Sequence, residues 1–188
     1  MNAINCTTQK ELLLDNLKEY YKNEVILIRM LKIITGESKI SLRIVDWFVT
    51  NYAKRNFTLY NITINNDTKR FNVYQDYKLK LKSYSKKNFD PFCRWERITI
   101  PYINGTSIET TLGQLNFFKW AIEKGIINFI EENYTNIEND MNMRNSSAKR
   151  MDNKINENTK TRKKREELSI SAAKSIKKEE VEIIIKFN

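Results

Sequence analysis

Apolar positions recur three and four residues apart along most of the first 141 residues, with a few short runs of two-residue alternation between them. The first spacing draws one stripe on a helix, and the second draws one face of a strand. Residues 8–22, TQKELLLDNLKEYYK, read as an amphipathic helix. Thr8 or Thr7 can cap it, and Glu11 stands three residues past Thr8, where a capping box needs it. The next run, EVILIRMLKIITG (24–36), is ambiguous. Its length favours a helix, its β-branched start favours a strand, and Gly36 closes it either way. Ser41 then caps SLRIVDWFVTNYAKR, in which Val45, Phe48, Val49 and Tyr52 make one buried stripe.

FTLYNIT (57–63) has the alternation of a strand, and NNDTK (65–69) that of a turn. FNVYQDYKLKLKSY (71–84) carries two signals. KLKLK alternates, but Phe71, Tyr74, Tyr77 and Leu81 fall at helical spacing, and the helix is the preferred reading. Asp90-Pro91 ends it. RITIPYI (97–103) reads as a strand kept at a sheet edge by Pro101. Asn104-Gly105 is a hairpin turn and SIETT (107–111) the returning strand. Thr111 caps LGQLNFFKWAIEKG, with Leu115, Phe118 and Ile122 inward. Ile130, Tyr134, Ile137 and Met141 continue the spacing, as two helices joined at Gly125 or one helix weakened there.

The pattern stops near residue 142. Residues 142–166 hold no aromatic, many Asn, and nine basic residues against three acidic ones, which is too little apolar surface to order a segment. Alternation returns in LSISA and VEIIIKFN, where Val181, Ile183, Ile185 and Phe187 share a face. The expected fold class is α+β. A single compact domain, with a small sheet and several amphipathic helices, covers 1–141. A basic flexible linker covers 142–167 and a C-terminal strand-forming segment 168–188.

Charge narrows the function. The chain carries 33 Lys and Arg against 23 Asp and Glu, a net +10, which draws polyanions, nucleic acid first among them. There is no histidine, so imidazole catalysis, the Ser-His-Asp and Cys-His pairings and the commonest metal ligand are absent. Two cysteines, Cys6 and Cys93, cannot build a four-ligand zinc site, and reduced thiols are the simpler expectation. Four glycines leave no room for a Walker loop, and no run approaches the roughly 18 apolar residues of a membrane span. The N-terminal residues, MNAINCTTQK, are polar rather than signal-like, so a secretory route is not expected.

SLRIVDWFVTNYAKR, YSKKNFDPFCRWERI, TTLGQLNFFKWAIEKGIINFI and TRKKREELSISAAKSIKK resemble segments of a conserved protein family of nucleocytoplasmic large DNA viruses, of the mimivirus and phycodnavirus type. The resemblance covers about residues 38–180 and implies a setting rather than a reaction. The protein would be made in an infected cell and act in the host cytoplasm, the nucleus or the virion. No functional residue carries over.

The candidate site therefore rests on the residues themselves. In YKLKLKSYSKKNFDPFCRW (77–95) and the residues after it, Lys78, Lys80, Lys82, Lys86, Lys87, Arg94 and Arg97 can neutralise phosphates, and Tyr77, Tyr84, Phe89 and Trp95 can stack on bases. The competing expectation is that the lysines solvate one face and the rings fill a core. A second basic run, Lys160, Arg162, Lys163, Lys164 and Arg165, fits a nucleic-acid contact, an import signal or a solvated linker. The helices around Gly125 have helix-turn-helix spacing, but Glu131, Glu132, Glu138 and Asp140 would repel DNA. Cys93 lacks a partner base and is expected to be a buried structural thiol. The expectation is a non-enzymatic, nucleic-acid-binding accessory protein without cofactor or metal, with DNA ahead of RNA as partner and other viral proteins as further partners. The alternatives are a virion structural or interaction component and, further back, a metal-dependent nuclease, which would need several acidic residues converging in one cleft; Asp46, Asp76, Asp90, Glu96 and Glu109 show no metal-binding pattern in the sequence.

Overall fold

Thr8 and Glu11 form the capping box. The Thr8 hydroxyl accepts from the Glu11 amide at 3.3 Å, and the Glu11 carboxylate accepts from the Thr8 amide at 2.7 Å. In a computed structural model of the chain, which describes residues 8–64, 67–102, 107–155 and 177–179, this box starts α1 (Gln9–Tyr20). The ambiguous apolar run is a helix, α2 (Glu24–Thr35). Asn23 accepts from the amides of Val25 and Ile26, and Gly36 ends the helix in left-handed backbone at φ +81°. Leu27, Met30, Leu31 and Ile34 face inward at helical spacing. A strand would have used neither end signal.

Ser41 caps α3 (Leu42–Trp47), which passes through one π-helical turn (Phe48–Tyr52) into α4 (Ala53–Arg55). The sequence predicts an unbroken helix here; the stripe is nonetheless kept, with Val45, Phe48 and Val49 buried and Tyr52 half-buried. β1 (Leu59–Ile64) and β2 (Asp67–Asn72) follow as an antiparallel hairpin, in register from Leu59↔Asn72 to Ile64↔Asp67. Sequence reading assigns no strand at 67–72. Of that strand only Phe71 is buried, so DTKRFN has no alternation to read.

α5 (Val73–Phe89) is the helix preferred for the KLKLK segment. β3 (Arg97–Pro101) and β4 (Ser107–Thr111) pair antiparallel from Arg97↔Thr111 to Pro101↔Ser107, and Pro101 sits at the end of an edge strand. The Asn104-Gly105 turn lies outside the described residues. β5 (Lys177–Glu179) adds to the other side of β4, giving the order β3-β4-β5. The described residues thus hold two small sheets where the sequence suggested one. The alternating stretch at 181–187 lies outside the described residues.

Thr111 caps α6 (Leu112–Glu123), accepting from the Gln114 amide at 3.2 Å. Every residue from Leu112 to Phe118 is buried, and so are Trp120 and Ala121. A helix covered all round is the centre of its fold. α5 packs along one side of it, and the Tyr21 hydroxyl after α1 donates to the Leu115 carbonyl at 2.7 Å. Gly125, at φ +68°, splits α6 from α7 (Ile126–Glu132), and α8 (Tyr134–Ile155) starts after a second break at Asn133. α8 continues across residue 141, so the first part of the segment read as a linker, 142–155, is helical. Its Arg144–Asp140 ion pair, one turn apart at 2.8 Å, bridges that boundary. Two ring clusters mark the core. Phe48, Tyr60, Phe71 and Phe129 join the first hairpin to α7, and Tyr77, Tyr84, Phe89, Phe117 and Trp120 join α5 to α6.

Candidate nucleic-acid interface

The stretch from Lys86 to Trp95 is held from below. Phe89 is fully buried, with the Trp120 ring at 5.5 Å and the Phe117 ring at 5.8 Å. Asp90 shapes the turn after it. Its carboxylate accepts from the Phe92 amide at 2.9 Å and its carbonyl from the Cys93 amide at 3.0 Å. The first turn of α6 presses against the same place. A methyl group on Gly113 would lie 2.7 Å from the Asp90 carbonyl oxygen and 3.1 Å from that of Lys87. Asn116 donates its side-chain amide to the Asn88 carbonyl at 2.8 Å. Gly113 is what lets backbone meet backbone here.

On this base sits an open cleft of about 460 Å³ lined by Lys86, Lys87, Asp90, Phe92, Cys93, Arg94 and Trp95. Lys86, Lys87 and Arg94 are exposed, and Trp95 is 67% exposed. The Lys87 ammonium lies 5.5 Å from the centre of the Trp95 ring, a cation–π contact. Glu96 follows in left-handed backbone, at φ +54°, and is tied to Lys10 by an ion pair. The hydrogen bond and charge of Lys10, then the charge of Lys87, hold the Glu96 carboxyl below its ordinary range. Asp90 turns its carboxylate to the backbone. Lys86, Lys87, Arg94 and the Trp95 indole thus face solvent at the cleft, with Cys93 half-exposed among them and the Glu96 carboxylate exposed beside Lys87.

A family of unknown function (DUF7197) matches residues 2–188, nearly the whole chain. The chain belongs to this family. It is also 45% identical over 141 residues to uncharacterized protein L507 of Acanthamoeba polyphaga mimivirus, a match that spans 71% of this chain and 54% of that protein. The chain thus covers about half the length of that relative. The viral resemblance read from the sequence is shown by this match. No solved structure matches.

Within this DUF7197 chain the other nominated residues divide. Lys78 and Lys82 are exposed, one turn apart on α5, whereas Lys80 is half-buried with its ammonium 5.9 Å from the Tyr84 ring. Ser85, at φ +65° and ψ 165°, interrupts the helix, so Lys86 and Lys87 do not extend the Lys78–Lys82 face. Arg97 is engaged by Glu109 at 3.1 Å across β3 and β4. Lys160, Arg162, Lys163, Lys164 and Arg165 lie outside the described residues. Of the four rings nominated for stacking, Tyr77 and Phe89 are core and Tyr84 stacks on Phe89 at 5.9 Å; only Trp95 faces solvent. Burial, and then the charges of Asp46 and Asp90, push the Tyr77 hydroxyl well above its usual range. Cys93 is half-exposed at the cleft, not buried as expected.

The acidic residues are distributed among structural tasks. Asp76 accepts from the Trp120 indole at 2.6 Å and Asp140 from the Trp47 indole at 2.9 Å. Arg29 of α2 donates to Glu131 and Asn128, so these two polar groups of α7 are engaged within the fold. Among the described residues no three Cys, Asp or Glu side chains converge as metal ligands, and no helix is long and apolar enough to cross a membrane. Sequence reading missed Gly113 and Asn116 as supports of the site. The one signal available was a glycine in the first turn of an otherwise apolar helix.

Proposed function

We propose that the protein is a non-enzymatic nucleic-acid-binding accessory protein of a large DNA virus, acting in replication, transcription or genome packaging. The observation that carries this reading is the convergence of Lys86, Lys87 and Arg94 beside the exposed Trp95, on a segment fixed by Phe89, Asp90 and Gly113. Three cations carried on an anchored backbone can contact phosphate without that backbone first having to order. Lys78 and Lys82 offer a separate basic face on α5, and the basic run at 160–165 adds a further contact. DNA stands ahead of RNA as the partner. The action would take place in the host cytoplasm or nucleus, or in the virion.

The test is titration of the full chain against labelled DNA across a salt series. Neutralised phosphates release counterions, so the affinity is expected to fall steeply and linearly on a log–log plot. Absence of binding at low salt would sink this reading. The second reading, a virion structural or protein-interaction component, draws on another feature. An apolar cavity of about 240 Å³ lies between α1, α2 and β3, floored by Leu17, Leu27, Ile100 and Leu115.

A further inference from the structure

We infer that the cleft selects single-stranded over duplex nucleic acid, by stacking one unpaired base on Trp95 while Lys86, Lys87 and Arg94 hold the flanking phosphates. This rests on the nucleic-acid reading above and names the class of strand the site takes. Three observations carry it. Trp95 is 67% exposed, whereas Tyr77 and Phe89 are in the core and Tyr84 is stacked inward. Phe92 also lines the cleft but is half-buried, so the indole is the most exposed ring of the basic segment. Lys87 stands 5.5 Å from the centre of that ring, which leaves the ring's remaining surface for a ligand and puts a positive charge beside it. Trp95 is also held on both sides in sequence: Asp90 closes the turn before it, and Glu96, in left-handed backbone and paired with Lys10, fixes the chain after it. Residues held in sparsely populated backbone conformations cluster where a side chain must be aimed.

The chemistry then sorts the strands. Every base has a π-face, so one stacking platform accepts any sequence. Bases in a duplex already stack on their neighbours and cannot reach a single indole without unpairing. The phosphates serve both forms, so the cations bind either and the ring separates them.

The experiment measures affinity of the full chain for a labelled thymine homopolymer strand and for a mixed-sequence duplex, in the wild type and in Trp95→Ala and Trp95→Phe. Removing the ring is expected to weaken the single strand about tenfold, within the range seen for stacked bases, and to leave the duplex almost unchanged. Trp95→Phe should keep most of the single-strand affinity. Wild-type indole emission gives an independent reading. Trp120 is buried and Trp47 is half-buried and bonded to Asp140, so quenching by the strand reports Trp95. Binding with no quenching and no single-strand loss in Trp95→Ala would overturn the stacking inference and leave the phosphate grip standing. No binding of the wild type to either strand would remove both.

Discussion

Asp46 is the residue whose surroundings oppose its charge most plainly. Burial, and then the neighbouring Asp90, push its carboxyl up to about 7, against about 3.9 in an unfolded chain. Between those values the folded protein holds a proton that the unfolded one has released. The stabilising contribution is full below about pH 4 and is lost as pH rises through about 7. Asp46→Asn should therefore remove a decline in Tm between those limits and raise Tm near neutral pH. A variant with the same pH profile as the wild type would show that Asp46 is not desolvated. Asp90 also shapes the cleft turn, so the charge that acts on Asp46 belongs to a residue of the site. Cys93 shows the limit of reading single residues from sequence. Without a partner base it is expected to be a buried structural thiol, but it lies half-exposed at the cleft after the turn at Asp90.

At the scale of elements, the ends of helices were legible and their destinations were not. Thr8, Ser41 and Thr111 cap as their local sequence indicates, because a cap is decided within four residues. β2 was invisible because its assignment depends on β1 across the hairpin. The rings of 77–95 look alike in sequence, and what separates Phe89 from Trp95 is the position of α6. That docking yields a prediction. Gly113→Ala gains ~1 kcal/mol of helix propensity but forces its methyl group onto backbone oxygens, where overpacking costs ~1–3 kcal/mol. Because backbone cannot rotate away, the loss should win and Tm should fall. An unchanged or higher Tm would mean that α6 and the end of α5 do not meet as closely as this.

For the whole molecule, the α+β class was legible from the mixture of periods, and the viral setting from strings that the L507 match now supports. The net charge of +10 favours a polyanionic partner but does not say where on the fold one would sit. The fold distributes the basic residues unequally. Arg97 and Arg29 answer carboxylates, Lys80 leans on Tyr84 and Lys87 on Trp95, and Lys86, Lys87 and Arg94 line one cleft. The central claim is that this cleft, more than the basic run at 160–165, grips phosphate. Two full-length variants separate them: one with Lys86, Lys87 and Arg94 changed to Gln, the other with Lys160, Arg162, Lys163, Lys164 and Arg165 changed to Gln. The measurement is the slope of log affinity against log salt for a single strand. The cleft variant should bind more weakly and show a slope shallower by about 2, near 0.7 for each lost phosphate contact. A cleft variant with wild-type affinity and slope, beside a tail variant that no longer binds, would contradict the account.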